Sequence, residues 1–190
     1  MRRNIDAWWP FVDQPGLEAI VMNASGCGVT VKEYGYYFQD EPAYAAKAAR
    51  ISALTRDISE LLPDLVAALK PKVNAALAAQ AGQIAFHPPC TLQHGQQLRG
   101  GVEGAFRELG FEISVATNEA HLCCGSAGTY SVLQPELSHQ LRDRKLGHLA
   151  ELQPTAILSA NIGCIQHLQS GTTTPVKHWI EALDEALAGG

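Results

Sequence analysis

The sequence predicts an α/β fold, a largely parallel sheet with helices on both faces. Three observations predict it. Across 83–190, short apolar runs of strand type alternate with longer stretches whose apolar residues recur every three or four positions. Cysteines stand just past three of those runs, where open parallel sheets bind their ligands. Ala19-Ile-Val-Met-Asn-Ala-Ser-Gly-Cys27 also echoes Ala156-Ile-Leu-Ser-Ala-Asn-Ile-Gly-Cys164, with Ala-Ile and Gly-Cys in register. One complete unit over 83–190, a partial copy over 1–70 and a linker over 71–82 are therefore expected.

The elements follow in order. Asn4-Ile-Asp-Ala-Trp-Trp9 reads as the tail of a helix stopped by Pro10. Asp13-Gln-Pro-Gly16 is a turn and Leu17-Glu-Ala-Ile-Val-Met22 a strand. Ser25-Gly-Cys-Gly28 reads as a loop, and a helical pattern resumes from Val29 to Phe38. Ile51, Leu54, Ile58, Leu61 and Leu65 form one amphipathic helix face, interrupted near Pro63, with Pro42 at its start. Alanine-rich 70–81 is the linker, partly helical. Ile84-Ala-Phe86 is a strand, Leu98, Val102, Phe106 and Leu109 a helix stripe, and Gly110 its terminator. Phe111 to Val115 is a strand, Leu137, Leu141 and Leu149 mark a helix from Pro135, and 156–160 is a strand. A short helix through His167 and a terminal helix from Trp179 to Leu187 complete the chain.

Composition excludes several classes. With 190 residues and 46% apolar content the chain builds an ordinary core. A net charge of -5 and the lack of a basic, aromatic-laced patch argue against nucleic acid. No apolar stretch approaches the length of a membrane span, and Arg2-Arg3 lead into no secretory apolar region. An odd number of cysteines, five, points to the reducing cytoplasm and away from a disulfide framework.

Four of those cysteines belong to one pattern. Adjacent Cys123 and Cys124 sit in a loop after the 111–115 strand, beside Gly125. Glycine tolerates positive φ, so the loop can bend and turn both sulfurs to one side. Cys90 lies 33 positions before Cys123 and Cys164 lies 40 after Cys124, each behind an apolar run. Four thiols then converge on one rim; buried structural cysteines are the plain alternative.

These residues resemble the cysteine-rich CCG domain found in heterodisulfide reductases, lactate-utilisation proteins and bacterial glycolate oxidase iron-sulfur subunits. Asn23-Ala-Ser-Gly-Cys-Gly28, Val31-Lys-Glu-Tyr-Gly35, His87-Pro-Pro-Cys-Thr-Leu-Gln-His-Gly95, His121-Leu-Cys-Cys-Gly-Ser-Ala-Gly-Thr-Tyr130 and Asn161-Ile-Gly-Cys164 are similar to the last group. The resemblance implies an iron-sulfur cluster of four-iron type on Cys90, Cys123, Cys124 and Cys164. It also implies a duplicated domain, of which this chain is the C-terminal part, and electron transfer from flavin-containing oxidase subunits acting on glycolate or a similar 2-hydroxy acid. Peripheral membrane association would come only through that complex. The family's final CxxC cysteine is His167 here, which makes His167 a candidate fifth ligand, since metal geometry accepts CxxH spacing.

Other candidates are weaker. Cys27 has the position of Cys164 but no matching partners. His87, His94 and His121 flank the cysteines and read as supporting donors or surface residues. Gly125-Ser-Ala-Gly128 lacks the lysine of a phosphate loop, and no flavin or nicotinamide motif is visible. Two alternatives stand beside the redox reading. One is a structural zinc site in an assembly domain, and the other is thiol-disulfide chemistry at Cys123-Cys124.

Overall fold

The computed structural model describes residues 1–187. It opens with helix α1 (Arg2–Val12), which buries Ile5 and Val12. Pro10 does not stop it; the helix runs two residues further. A proline in the last turn forfeits few hydrogen bonds, and continuing places Val12 in the core.

Strand β1 (Ile20–Met22) is shorter than expected and leads into α2 (Ser25–Lys32). The expected loop at Ser25–Gly28 is therefore the first turn of a helix. Its glycines permit close approach, since a Cβ on Gly28 would meet Gln96 Nε2 at 2.9 Å. Helices α3 (Tyr34–Tyr37) and α4 (Ala45–Leu54) follow.

The single helix expected over 51–65 is two helices around a strand. After α4 come β2 (Thr55–Asp57) and α5 (Ile58–Leu69). Thr55 Oγ1 donates to Ile51 O, and Asp57 restarts the helix with a capping box. Its carboxylate accepts from Ser59 N–H at 3.0 Å, while Glu60 accepts from Asp57 N–H at 2.7 Å. Apolar spacing happened to stay in phase across the break. Leu65, assigned to the buried face, is 48% exposed, whereas Leu62 and Val66 are buried. Stretch 71–82 holds α6 (Ala75–Gln80), capped by Asn74, whose own N–H donates to Ala186 O.

The larger sheet contains β3 (Ile84–His87), β4 (Ile113–Val115), β5 (Ala156–Ser159) and β6 (Val176–His178). Its order is β4-β3-β5-β6, parallel throughout. Helices α7 (Gly101–Glu108), α8 (Tyr130–Leu133), α9 (Pro135–Ala150), α10 (Ile162–Gln169) and α11 (Trp179–Leu187) complete the unit. Strand alternation sorts the core. Ile84, Phe86 and Leu158 join Phe106, Trp179 and Leu183 on one face. Ala85 and Ile157 join Leu149, Leu168, Cys124 and Cys164 on the other. Sequence reading missed β6, because three residues of mixed polarity carry no period; pairing with β5 defines it. The α9 stripe is also displaced. Leu137 is 48% exposed, while Ser138, Lys145 and Leu149 are buried.

The two sheets share a plan. In both, a strand leads to a helix whose third residue is cysteine, Cys27 in α2 and Cys164 in α10. In both, that strand pairs in parallel with another that runs directly into a capped helix. Asp57 caps α5; His178 Nδ1 accepts from Ile180 N–H, and Glu181 accepts from His178 N–H. The plans meet where Ser25 N–H donates to Ala160 O at 3.0 Å. There Gln96 Nε2 also donates to Asp57 Oδ2 at 2.9 Å.

Candidate metal centre

From β3 the chain passes to β4 on one side, then from β4 to β5 on β3's other side. The connections diverge beside the β3/β5 pair, and such a switch point opens a crevice at the strands' carboxyl ends. The cysteines arrive there. Cys90 starts a tight turn three residues after β3, and Leu92 and Gln93 are buried within that turn. Gln93 Nε2 donates to Pro88 O at 3.1 Å and Ala120 O at 3.3 Å, binding this turn to the loop that carries Cys123 and Cys124. Cys164 lies in the first turn of α10, which Asn161 caps by accepting from Gly163 N–H.

Gly125 has φ +91° and is buried. A Cβ there would fall 2.3 Å from Ser138 O and 3.1 Å from His167 Nε2, so the loop lies directly on α9 and α10. Ser138 Oγ donates to Gly125 O at 2.8 Å. Lys145, buried on α9, donates from Nζ to Glu119 O at 2.8 Å and holds the loop's start. Arg144 and His148 pair with the Glu119 carboxylate outside.

Cys124 and Cys164 are buried, and Cys124 Sγ lies 3.0 Å from Cys164 Sγ. Cys90 and Cys123 are half-buried beside them. The four thiols act on one another. Hydrogen bonds from Cys124 and then Cys90 hold Cys123 down to about 2, helped by Gly125 N–H and opposed by burial. Cys164 is lowered to about 6, first by the hydrogen bond from Cys124, with burial opposing. Cys124 is pushed up by its hydrogen bonds to Cys123 and Cys164 and by burial. Cys90 is pushed up by its bond to Cys123 and by burial. Cys123 and Cys164 are thus held down while Cys90 and Cys124 are pushed up, with the buried Lys145 amine acting on Cys123 and Cys124.

The histidines divide. Among the described residues, His87, Cys124 and Cys164 have potential ligand atoms within 4.8 Å of one another. His167, Cys90 and Cys123 are not in that group, though Cys90 and Cys123 hydrogen-bond each other and Cys123 hydrogen-bonds Cys124. His167 Nε2 lies 3.0 Å from Ser138 Oγ, and its ring stacks on His139 at 5.9 Å. His94 pairs with Arg99, and His121 is exposed. Cys27 is exposed on α2. Sequence reading set His87 aside and did not assign Ser138 or Lys145. Strand alternation from Ala85 was the available signal for His87; the other two needed the packing of α9. The donor set suits a soft metal group: the Cys124 and Cys164 sulfurs gather with buried His87, and Cys123 and Cys90 continue the chain of interacting thiols.

A family model described as cysteine-rich domain, CCG, matches residues 84–169. Lactate utilization protein A of Geobacillus kaustophilus is 30% identical over 174 residues, covering 87% of this chain and 69% of that protein.

The chain belongs to the cysteine-rich CCG domain family.

Among CCG proteins, the glycolate oxidase iron-sulfur subunit of Escherichia coli is 48% identical over 186 residues. That match covers 98% of this chain, which spans 44% of that relative's length. A probable glycolate oxidase iron-sulfur subunit of Bacillus subtilis is 27% identical over 164 residues, covering 82% of this chain and 34% of its own. No helix among the described residues is long and apolar enough to cross a membrane.

Proposed function

We propose that this CCG chain is the cluster-bearing region of an electron-transfer subunit in a complex that oxidises glycolate or a related 2-hydroxy acid. Cys90, Cys123, Cys124 and Cys164 hold an iron-sulfur cluster of four-iron type. The observation that carries the reading is the meeting of cysteines from behind three parallel strands at one buried switch point. The names of its E. coli and B. subtilis relatives support it. When bound, such a cluster supplies one-electron storage and transfer.

The chain's own residues hold and shield that group. The hydrogen bonds that hold Cys123 and Cys164 down favour the thiolate form that would bind the metal group. Burial of Cys124 and Cys164 excludes water. Lys145 and Ser138 fix the adjacent-cysteine loop, and His167 braces it beneath Gly125. Oxidation of the substrate belongs to flavin on partner subunits. The complex works in the cytoplasm and meets a membrane only through those partners; five unpaired cysteines support a reducing compartment.

Anaerobic reconstitution with iron and sulfide tests the reading. Visible iron-sulfur absorption that bleaches on reduction is expected, and Cys124→Ser should lose it. Uptake of zinc alone, with no redox-active chromophore after iron loading, would replace it with the structural-zinc reading. Purified chain should not oxidise glycolate with an artificial acceptor; turnover without a flavin subunit would overturn the division of labour.

A further inference from the structure

We propose that His87 is a metal ligand of this centre, supplying one imidazole nitrogen beside the cysteine sulfurs. The inference rests on the reading that the thiols hold a metal group, and concerns which histidine joins them. The CxxH spacing draws attention to His167, but the tertiary structure gives the two histidines different surroundings. His167 Nε2 is engaged by Ser138, with the hydroxyl at 3.0 Å and the carbonyl at 3.3 Å. His87 is 1% exposed, and neither Nδ1 nor Nε2 has a hydrogen-bond partner. Buried polar groups are nearly always paired, and an orphan in a native structure commonly marks an ion or water site.

The ring's position follows from the strand. His87 is the last residue of β3, and alternation puts its side chain on the same face as Ala85, the face of Cys124 and Cys164. Its backbone is fixed, because it stands opposite Ser159 on β5 and its carbonyl accepts from Ser159 Oγ at 2.9 Å. The imidazole is thus delivered by a central strand, while the thiols come from turns and a helix start.

His87 stands close enough to Cys164 to help hold that thiol down, although neither ring nitrogen makes a well-aligned hydrogen bond, and its ligand atom and the Cys124 and Cys164 sulfurs share a 4.8 Å envelope. A sulfur donor binds metal at about 2.3 Å and an imidazole nitrogen at about 2.0 Å, so donors gathered this closely can face one metal group. The Cys124 and Cys164 sulfurs, 3.0 Å apart, would have to part slightly to hold metal. Bound metal gives the orphaned imidazole a partner.

The test uses chain reconstituted anaerobically with iron and sulfide and carrying nitrogen-15 histidine. Pulsed EPR of the reduced form reads directly bonded nitrogen, and iron-57 Mössbauer spectra read a nitrogen-bearing iron whatever its spin state. The wild type should show one histidine-ligated iron, kept in His167→Gln. His87→Cys should load iron and lose the nitrogen signature. Iron-loaded wild type without that signature, or a signature unchanged in His87→Cys, overturns the proposal while leaving the cluster reading intact. Failure of the wild type to bind any metal overturns both. If His87→Cys does not load, His167→Gln decides, because loss of the signature there assigns the nitrogen to His167 and refutes His87.

Discussion

Gly125→Ala should be among the most damaging single-atom-scale changes in this protein, and Gly128→Ala is its control. Both glycines have positive φ, +91° and +59°. A non-glycine residue forced into such a conformation costs roughly 1–2 kcal/mol. At Gly128 the cost stops there, since nothing lies within 4 Å of the place a methyl would take. At Gly125 the methyl would be 2.3 Å from Ser138 O, a backbone atom of α9 that cannot swing aside. The loop must lift, which stretches the 2.8 Å bond from Ser138 Oγ to Gly125 O. Losing that bond at a buried site adds about 1–3 kcal/mol. The total for Gly125→Ala is roughly 2–5 kcal/mol, or a fall in Tm of about 4–20 °C for a chain of this size. Gly128→Ala should lose about 2–8 °C by the same conversion. Urea unfolding with both variants, paired with thiol titration of the native state, measures the difference. Gly125→Ala should also expose Cys124 to thiol reagents. Equal stability of the two variants, with Cys124 still protected, would refute the claim that the loop's contact with α9 fixes the thiol rim.

Three further outcomes are expected. Lys145→Met removes the Nζ donor to Glu119 O and should cost about 1–3 kcal/mol; limited proteolysis should cut within 117–122 sooner than in wild type, and an unchanged pattern would count against the staple. Asp57→Ala removes the α5 cap and the acceptor for Gln96, so a loss of about 2–4 kcal/mol in denaturant unfolding is expected. His178 is lowered from its ordinary 6.5, mainly by burial, with the Asn23 backbone, Glu181 and Asp57 opposing. The unfolded chain therefore binds a proton that the folded chain resists, and stability present at neutral pH is lost as pH falls through 6.5 towards the folded value. The slope approaches at most about 1.4 kcal/mol per pH unit; His178→Asn, which can still cap α11, should flatten the stability profile between pH 7 and 5, and an unaltered profile would assign that slope to other groups.

The parallel α/β class was legible in the chain because strand and helix periods differ and alternate over 83–190. Cys90, Cys123, Cys124 and Cys164 stood out for the same reason, each following an apolar run, and Gly125 announced a bend that φ +91° realises. Local pattern could not divide α4 from α5, since apolar residues kept their three- and four-residue spacing across β2. What separates them is pairing of Thr55–Asp57 with β1, a contact between residues 35 positions apart. Strand β6 likewise exists through its bond to β5 rather than through its own residues. The histidines show the limit most clearly. Spacing from Cys164 singles out His167, because a helix brings residue i+3 near. Tertiary packing instead turns His167 Nε2 to Ser138 and leaves His87, 77 positions from Cys164, with free nitrogens beside the sulfurs. Sequence determines which donors exist and which elements carry them. Where a donor's lone pair finds its partner depends on how separate elements meet, and only the folded chain decides that.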